Sequence, residues 1–180
     1  MGSASRNWSI AYIVSVMQDH RRASQNSITS RPERPRPTEV VMSSNNVDTV
    51  QEIYDAFVRA DVQSILAVVT DDVDWASEAA STLAPWHGIR RGKAEVAKFF
   101  TDIAGAVDVT EFTLLAIASN DTDVMAVIRF GITSKDTGRS GAMDLHHWWR
   151  FRDGKVYLYR GTEHTALTAA LLGPPELALR

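Results

Sequence analysis

The sequence predicts an α+β fold, a cone-shaped barrel in which a curved antiparallel sheet wraps around three N-terminal helices. Three observations predict it. Apolar side chains between Asn45 and Ala106 recur at helical spacing, and those from Val109 to Glu163 alternate with period two. Turn-forming pairs such as Asn120-Asp121 and Asp153-Gly154 separate the alternating stretches. Helices gathered ahead of a meander of strands bury their apolar faces by packing on one side of the sheet. Such a sheet leaves a deep mouth suited to a small, mostly apolar ligand.

The elements follow in order from about residue 45. Asn46 or Asp48 can cap a first helix carrying Val50, Ile53, Tyr54, Phe57 and Val58, which Ala60-Asp61 ends. Val62 to Val69 reads as a short second helix, Asp71-Asp72 as a turn and Val73 to Trp75 as a short strand. After a loop, the glycines of Gly88-Ile89-Arg90-Arg91-Gly92 let the chain turn into a third helix, Lys93 to Ala106, which buries Val96, Phe99, Phe100 and Ile103. Four long strands come next, Val109 to Ala118, Val124 to Thr133, Ala142 to Arg152 and Lys155 to Glu163. Thr165 to Leu172 closes the domain as a helix, so the domain is expected over 45–173, with a short tail at 174–180.

Residues 1–44 do not read as a folded unit. Trp8 to Met17 is apolar but too short for a bilayer span of about 20 residues, and Gln18-Asp19-His20-Arg21 offers no small-residue cleavage site. No membrane partner is expected, and a cytoplasmic location is. Three prolines between Ser30 and Pro37 make an extended linker. The segment reads as a tag remnant, an over-long start with Met42 as the natural one, or a disordered basic arm.

Charge and composition narrow the function classes. The formal charge of −3 divides into +3 before Met42 and −6 from there on, and an acidic body disfavours nucleic acid as a partner. The absence of cysteine removes disulfides, thiol nucleophiles and thiolate metal sites. His146 and His147 point to opposite faces of a strand and cannot chelate one ion. Gly88 to Gly92 lacks the spacing of a phosphate loop. Neither a metal nor a cofactor is expected.

Several strings, in order, then carry a resemblance: Ile53-Tyr54-Asp55-Ala56-Phe57, Asp71-Asp72-Val73-Asp74-Trp75, Pro85-Trp86-His87-Gly88 with Arg91-Gly92, Val96 to Phe100, Thr137-Gly138-Arg139, and His147 through Phe151-Arg152-Asp153-Gly154-Lys155 to Thr165. From Asp48 to about Leu172 the chain resembles the SnoaL-like branch of the nuclear-transport-factor-2-like, or ketosteroid-isomerase-like, superfamily. The resemblance implies a cystatin-like α+β cone and, of the chemistries this fold hosts, cofactor-free isomerisation, cyclisation or dehydration. Where ketosteroid isomerases hold their aspartate base this chain has Ser77, next to Glu78, while Tyr54 lies near the helical oxyanion tyrosine. Arg129 is followed two residues on by Gly131 rather than the aspartate of limonene-type epoxide hydrolases. His147 matches a histidine often seen in SnoaL-like cyclases, and His164, after Glu163, stands where that branch often has an aspartate.

Hairpin geometry is an independent check. With Asp153-Gly154 as a two-residue loop, His147 opposes Arg160, Trp149 opposes Leu158 and Phe151 opposes Val156, on a mostly apolar face that is the better candidate for the interior. There His147 is kept neutral by desolvation and by Arg160, or else is a core histidine bonded to a carbonyl. The other face places Trp148, Arg150, Tyr157 and Tyr159 outside, with Asp144 opposite Glu163. That aromatic-and-arginine surface suggests a homodimer contact, as the resemblance also implies. A bulge in either strand would exchange the two faces. The expected catalytic residues are therefore His147, His164 and Tyr54. Trp75, Trp86, Phe99, Trp149, Arg129 and Phe57 are expected to bind a hydrophobic polyketide-, steroid- or aromatic-like molecule. The alternative is a non-catalytic ligand-binding or dimeric interaction protein of the same fold.

Overall fold

The structure, a computed structural model, describes residues 39–79 and 82–174, with side chains from Asn45 onward. The expected arm as far as Thr38, and the tail from Pro175, lie outside the described residues. Helix α1 spans Glu39–Val58 and α2 Val62–Ala67. The chain continues as β1 (Val69–Ser77), β2 (Gly88–Arg91), α3 (Gly92–Ala106), β3 (Val107–Ser119) and β4 (Asp123–Ser134). It ends with β5 (Ser140–Arg152), β6 (Lys155–Thr162) and α4 (Thr165–Leu172).

Asn46 and Asp48, expected as caps, lie inside α1, because no proline or glycine interrupts the chain from Glu39. The buried Asn46 instead donates from Nδ2 to the Asp121 carbonyl at 3.2 Å, tying α1 to the turn between β3 and β4. Ala60, at φ 55°, ends α1. Asp61 then starts α2 by accepting from the Ser64 backbone N–H at 3.1 Å.

The six strands lie in the order β2-β1-β6-β5-β4-β3. One seam, between β1 and β6, is parallel, and the other pairings are antiparallel. The expected glycine-rich turn before α3 is the short strand β2, paired with the end of β1. Register shifts at Val109/Glu111 and Leu114/Ala116 bend β3 against β4, curling the sheet toward α1 and α3. Into that curl α1 sends Val50, Ile53 and Tyr54, and α3 sends Val96, Phe99, Phe100 and Ile103. No helix among the described residues is long and apolar enough to cross a membrane.

The last hairpin begins as expected. Asp153 and Gly154 take φ values of 52° and 74°, as a two-residue type I′ loop requires, and Phe151 pairs with Val156. Beyond that pair Tyr157 is an extra residue on β6: Arg150 opposes Leu158, Trp149 opposes Tyr159 and His147 opposes Gly161. This bulge exchanges the faces of β6 and corrects three expectations. Tyr159 leaves the proposed dimer surface for the interior, where it is 5% exposed. Arg160 does not face His147 but meets Asp74 at 3.1 Å and Glu78 at 3.3 Å. Asp144 pairs with Arg129 at 3.1 Å instead of facing Glu163. The outer surface keeps Trp148, Arg150 and Tyr157, with the Arg150 guanidinium over both rings at 5.3 and 6.0 Å.

Gly131 opposes the β3 bulge, where an added Cβ would stand 2.8 Å from Thr110 Oγ1 and 2.9 Å from Glu111 Cβ. Gly131→Val is therefore expected to lower stability by about 1–3 kcal/mol through overpacking, read as a lower urea midpoint.

Candidate active site

The inner face of the sheet, with α1 and α3, encloses a chamber holding about 620 Å³ of open space, its mouth included. Tyr54, Phe57, Trp75, Trp86, Phe99, His147 and Trp149, all expected at the site, line it. Strand pairing sets them in rows. Trp75, Tyr159 and Trp149 lie across β1, β6 and β5, with ring centroids 4.1 and 4.4 Å apart. Ser77, Gly161 and His147 form the next row along.

A buried relay joins α1 to β5. Trp149 Nε1 donates to the Tyr54 hydroxyl at 3.0 Å, and that hydroxyl lies 3.0 Å from His147 Nδ1. The indole N–H can only donate, so the tyrosine oxygen accepts from it, and the buried phenol proton is satisfied by turning to His147. Nδ1 is then the acceptor, and the imidazole proton sits on Nε2. Burial, with a smaller contribution from the neighbouring His146, pushes His147 down to about 3, so the ring is neutral near pH 7. Burial likewise raises the Tyr54 phenol, partly offset by the Trp149 N–H, and keeps it protonated.

A second cluster stands on the same chamber wall. Glu163 Oε1 receives Thr168 Oγ1 at 2.7 Å and lies 2.7 Å from His87 Nε2, while Trp86 Nε1 donates to Oε2 at 3.1 Å. Burial raises its carboxyl, but the hydrogen bonds from His87, Thr168 and Trp86 more than offset this and hold it below its ordinary value. Glu163 is thus a buried carboxylate, with one lone-pair position on Oε2 left open. Trp86 and His87 come from the loop before β2, and Thr168 from α4.

Two expected site residues are elsewhere. His164 is exposed, and its Nδ1 accepts the Leu167 backbone N–H at 3.1 Å, capping α4. Arg129 lies on the outer face of β4 with Asp144, because the strand's alternation sends its neighbours Ile128 and Phe130 inward. Sequence reasoning missed Glu163, His87 and Tyr159. The Glu163-His164 pair holds a carboxylate one position from where the resemblance sought it, and that was the available signal. Nothing local links His87 to a partner 76 residues away. Among the described residues no group of three His, Cys, Asp or Glu side chains is placed to hold a metal ion.

The profile of the SnoaL-like domain family matches residues 50–159. No curated protein matches the chain. Among solved structures it is similar to a nuclear-transport-factor-2-like protein of unknown function from Burkholderia pseudomallei. The identity is 24% and the TM-score 0.67, over 72% of this chain and 98% of that one. It is also similar to TerC co-crystallised with polyporic acid, at 20% identity and TM-score 0.65, over 71% and 98% of the two chains. A candidate polyketide cyclase from Xanthomonas campestris has 18% identity and TM-score 0.61, over 73% and 99%.

The His147 shift has a consequence for stability. The unfolded imidazole takes up a proton near 6.5 while the folded one resists until about 3, so stability falls as pH drops through that window. The slope is about 1.4 kcal/mol per pH unit. Glu163 acts in the same direction, but only below the ordinary carboxyl value of 4.5. Between pH 6.5 and 4.5 the part of the slope owed to His147 is the part that replacing it removes. Urea unfolding at stepped pH should show it in the native chain and lose it in His147→Asn.

Proposed function

The chain belongs to the SnoaL-like domain family, and from that premise we propose that it is a small-molecule enzyme of cofactor-free acid–base chemistry. Its reaction is an isomerisation, cyclisation or dehydration of a flat, hydrophobic polyketide-, steroid- or aromatic-like ligand. One observation carries the reading: a single apolar chamber holds a carboxylate, Glu163, kept ionised by its hydrogen bonds, and an imidazole, His147, kept neutral by burial. Glu163 Oε2 takes the proton from carbon beside a ligand carbonyl. The C–H electron pair becomes the new carbon–carbon double bond, and the carbonyl oxygen gains charge under the Nε2–H of His147. Tyr54 holds His147 in the tautomer that can donate. The aromatic walls Trp75, Trp86, Phe99 and Trp149 fit a flat ring system. A homodimer through Trp148, Arg150 and Tyr157 is the accompanying partner proposal.

A bicyclic aromatic ketone such as 1-tetralone in D2O tests the chemistry, with α-deuteration followed by NMR and binding by tryptophan fluorescence. The native chain should exchange the α-protons. Glu163→Gln should slow exchange by about 10²–10⁴-fold and His147→Asn by about 10²–10³-fold, with binding retained. Binding without exchange in the native chain would overturn the catalytic reading in favour of a non-catalytic ligand-binding protein of the same fold.

A further inference from the structure

Neither the relay nor the carboxylate cluster uses the hydroxyl of Tyr159. The residue is 5% exposed, and its ring packs between Trp75 and Trp149, where phenylalanine would serve equally well. Burial, then the proximity of Tyr54 and Glu163, holds the phenol well above its ordinary value, and no hydrogen bond contributes. The hydroxyl has no hydrogen-bond partner among the described residues and stands on the chamber wall, so it is free to donate to a ligand. A Cβ on Gly161 would collide with the Tyr159 oxygen and stand 2.9 Å from its Cζ, so the phenol tip lies directly on the Gly161 backbone. Gly161 is flanked in its row by Ser77 on β1 and His147 on β5, and all of these residues line the chamber.

From this arrangement we infer that Tyr159, Ser77 and His147 form an oxygen-binding corner over Gly161. It selects planar aromatic ligands bearing a neutral ring oxygen, phenolic or ketonic. The inference rests on the chamber being a ligand site, as proposed above, but not on the proton chemistry of Glu163. Tyr159 supplies the donor, Ser77 either donates or accepts, and the stacked rings of Trp75 and Trp149 set the plane of the ligand. A carbonyl seated here would be the one whose adjacent carbon Glu163 deprotonates.

Calorimetric binding of 2-naphthol and of naphthalene, which share a ring system and differ by one oxygen, tests the corner. The native chain should prefer 2-naphthol by about tenfold, the upper end for one neutral hydrogen bond. Tyr159→Phe should bring the preference close to one while leaving naphthalene affinity within about twofold. With no ligand present its melting temperature should be unchanged or higher, because the hydroxyl has no partner to lose among the described residues. Gly161→Ala, which displaces the phenol tip, should also abolish the preference. The corner is overturned if the native chain shows no preference, if Tyr159→Phe keeps it, or if Tyr159→Phe melts several degrees lower without ligand. The two readings fail separately. A naphthol preference that needs Tyr159, without tetralone exchange, sinks only the catalysis, and exchange that needs Glu163, with the preference intact in Tyr159→Phe, sinks only the corner.

Discussion

The extra residue in β6 decides what the chamber contains. Phe151 and Val156 must both face the core where the hairpin begins, and an unbroken register from there would turn Leu158 and Arg160 inward after them. Arg160 has no acidic partner inside, and desolvating an unpaired guanidinium is among the costliest events in folding. Inserting Tyr157 moves Arg160 out to Asp74 and Glu78 and brings Tyr159, Gly161 and Glu163 in. The seam with β1 carries the same shift across: Trp75 aligns with Tyr159 and Ser77 with Gly161, so three strands present one continuous wall.

With that wall in place, the relay and the Glu163 cluster each hold their polar groups in a definite protonation state. Trp149, Tyr54 and His147 form a chain of donors and acceptors in which every proton has one sensible position, and all three groups are neutral. Glu163 takes the other course, keeping its charge by collecting hydrogen bonds from a loop and from α4. The clip on α4 extends further. Arg139 reaches the Ala170 and Gly173 carbonyls, and Thr137 Oγ1 donates to the Leu171 carbonyl at 2.6 Å. The helix that places Thr168 on Glu163 is thereby held at its far end by the turn between β4 and β5.

What the sequence discloses follows from how local each cause is. The helices, the four long strands and the Asp153-Gly154 turn are legible because periodicity and turn chemistry act within a few residues. Phe57, Trp75, Trp86, Phe99 and Trp149 are legible as walls, since large aromatics at core periods have few other places to go. Tyr54 and His147 are each legible alone, but their hydrogen bond spans 93 positions and leaves no local trace. The Tyr157 bulge carries no glycine or proline to announce it, so the sequence alone transposes the inner and outer faces of β6, and Tyr159 with them. β2 is four residues between glycines, too short for its alternation to register.

The exchange of His164 for Glu163 has a mechanical origin. A residue that opens a helix can turn its side chain back onto the first backbone N–H groups, and His164 does so with Nδ1 on Leu167. A side chain committed to the helix end cannot also enter the chamber. Glu163, one residue earlier, still follows the strand's alternation, on the same side as Gly161 and Tyr159, and so points inward. Having arrived there, its charge restricts the site. Among the described residues no lysine or arginine lines the chamber, so a carboxylate in that low-dielectric space repels a second anion and tolerates a neutral ligand. A neutral ligand is what proton abstraction by Glu163 would need, because the negative charge then passes from the protein to the ligand oxygen without any change in the total.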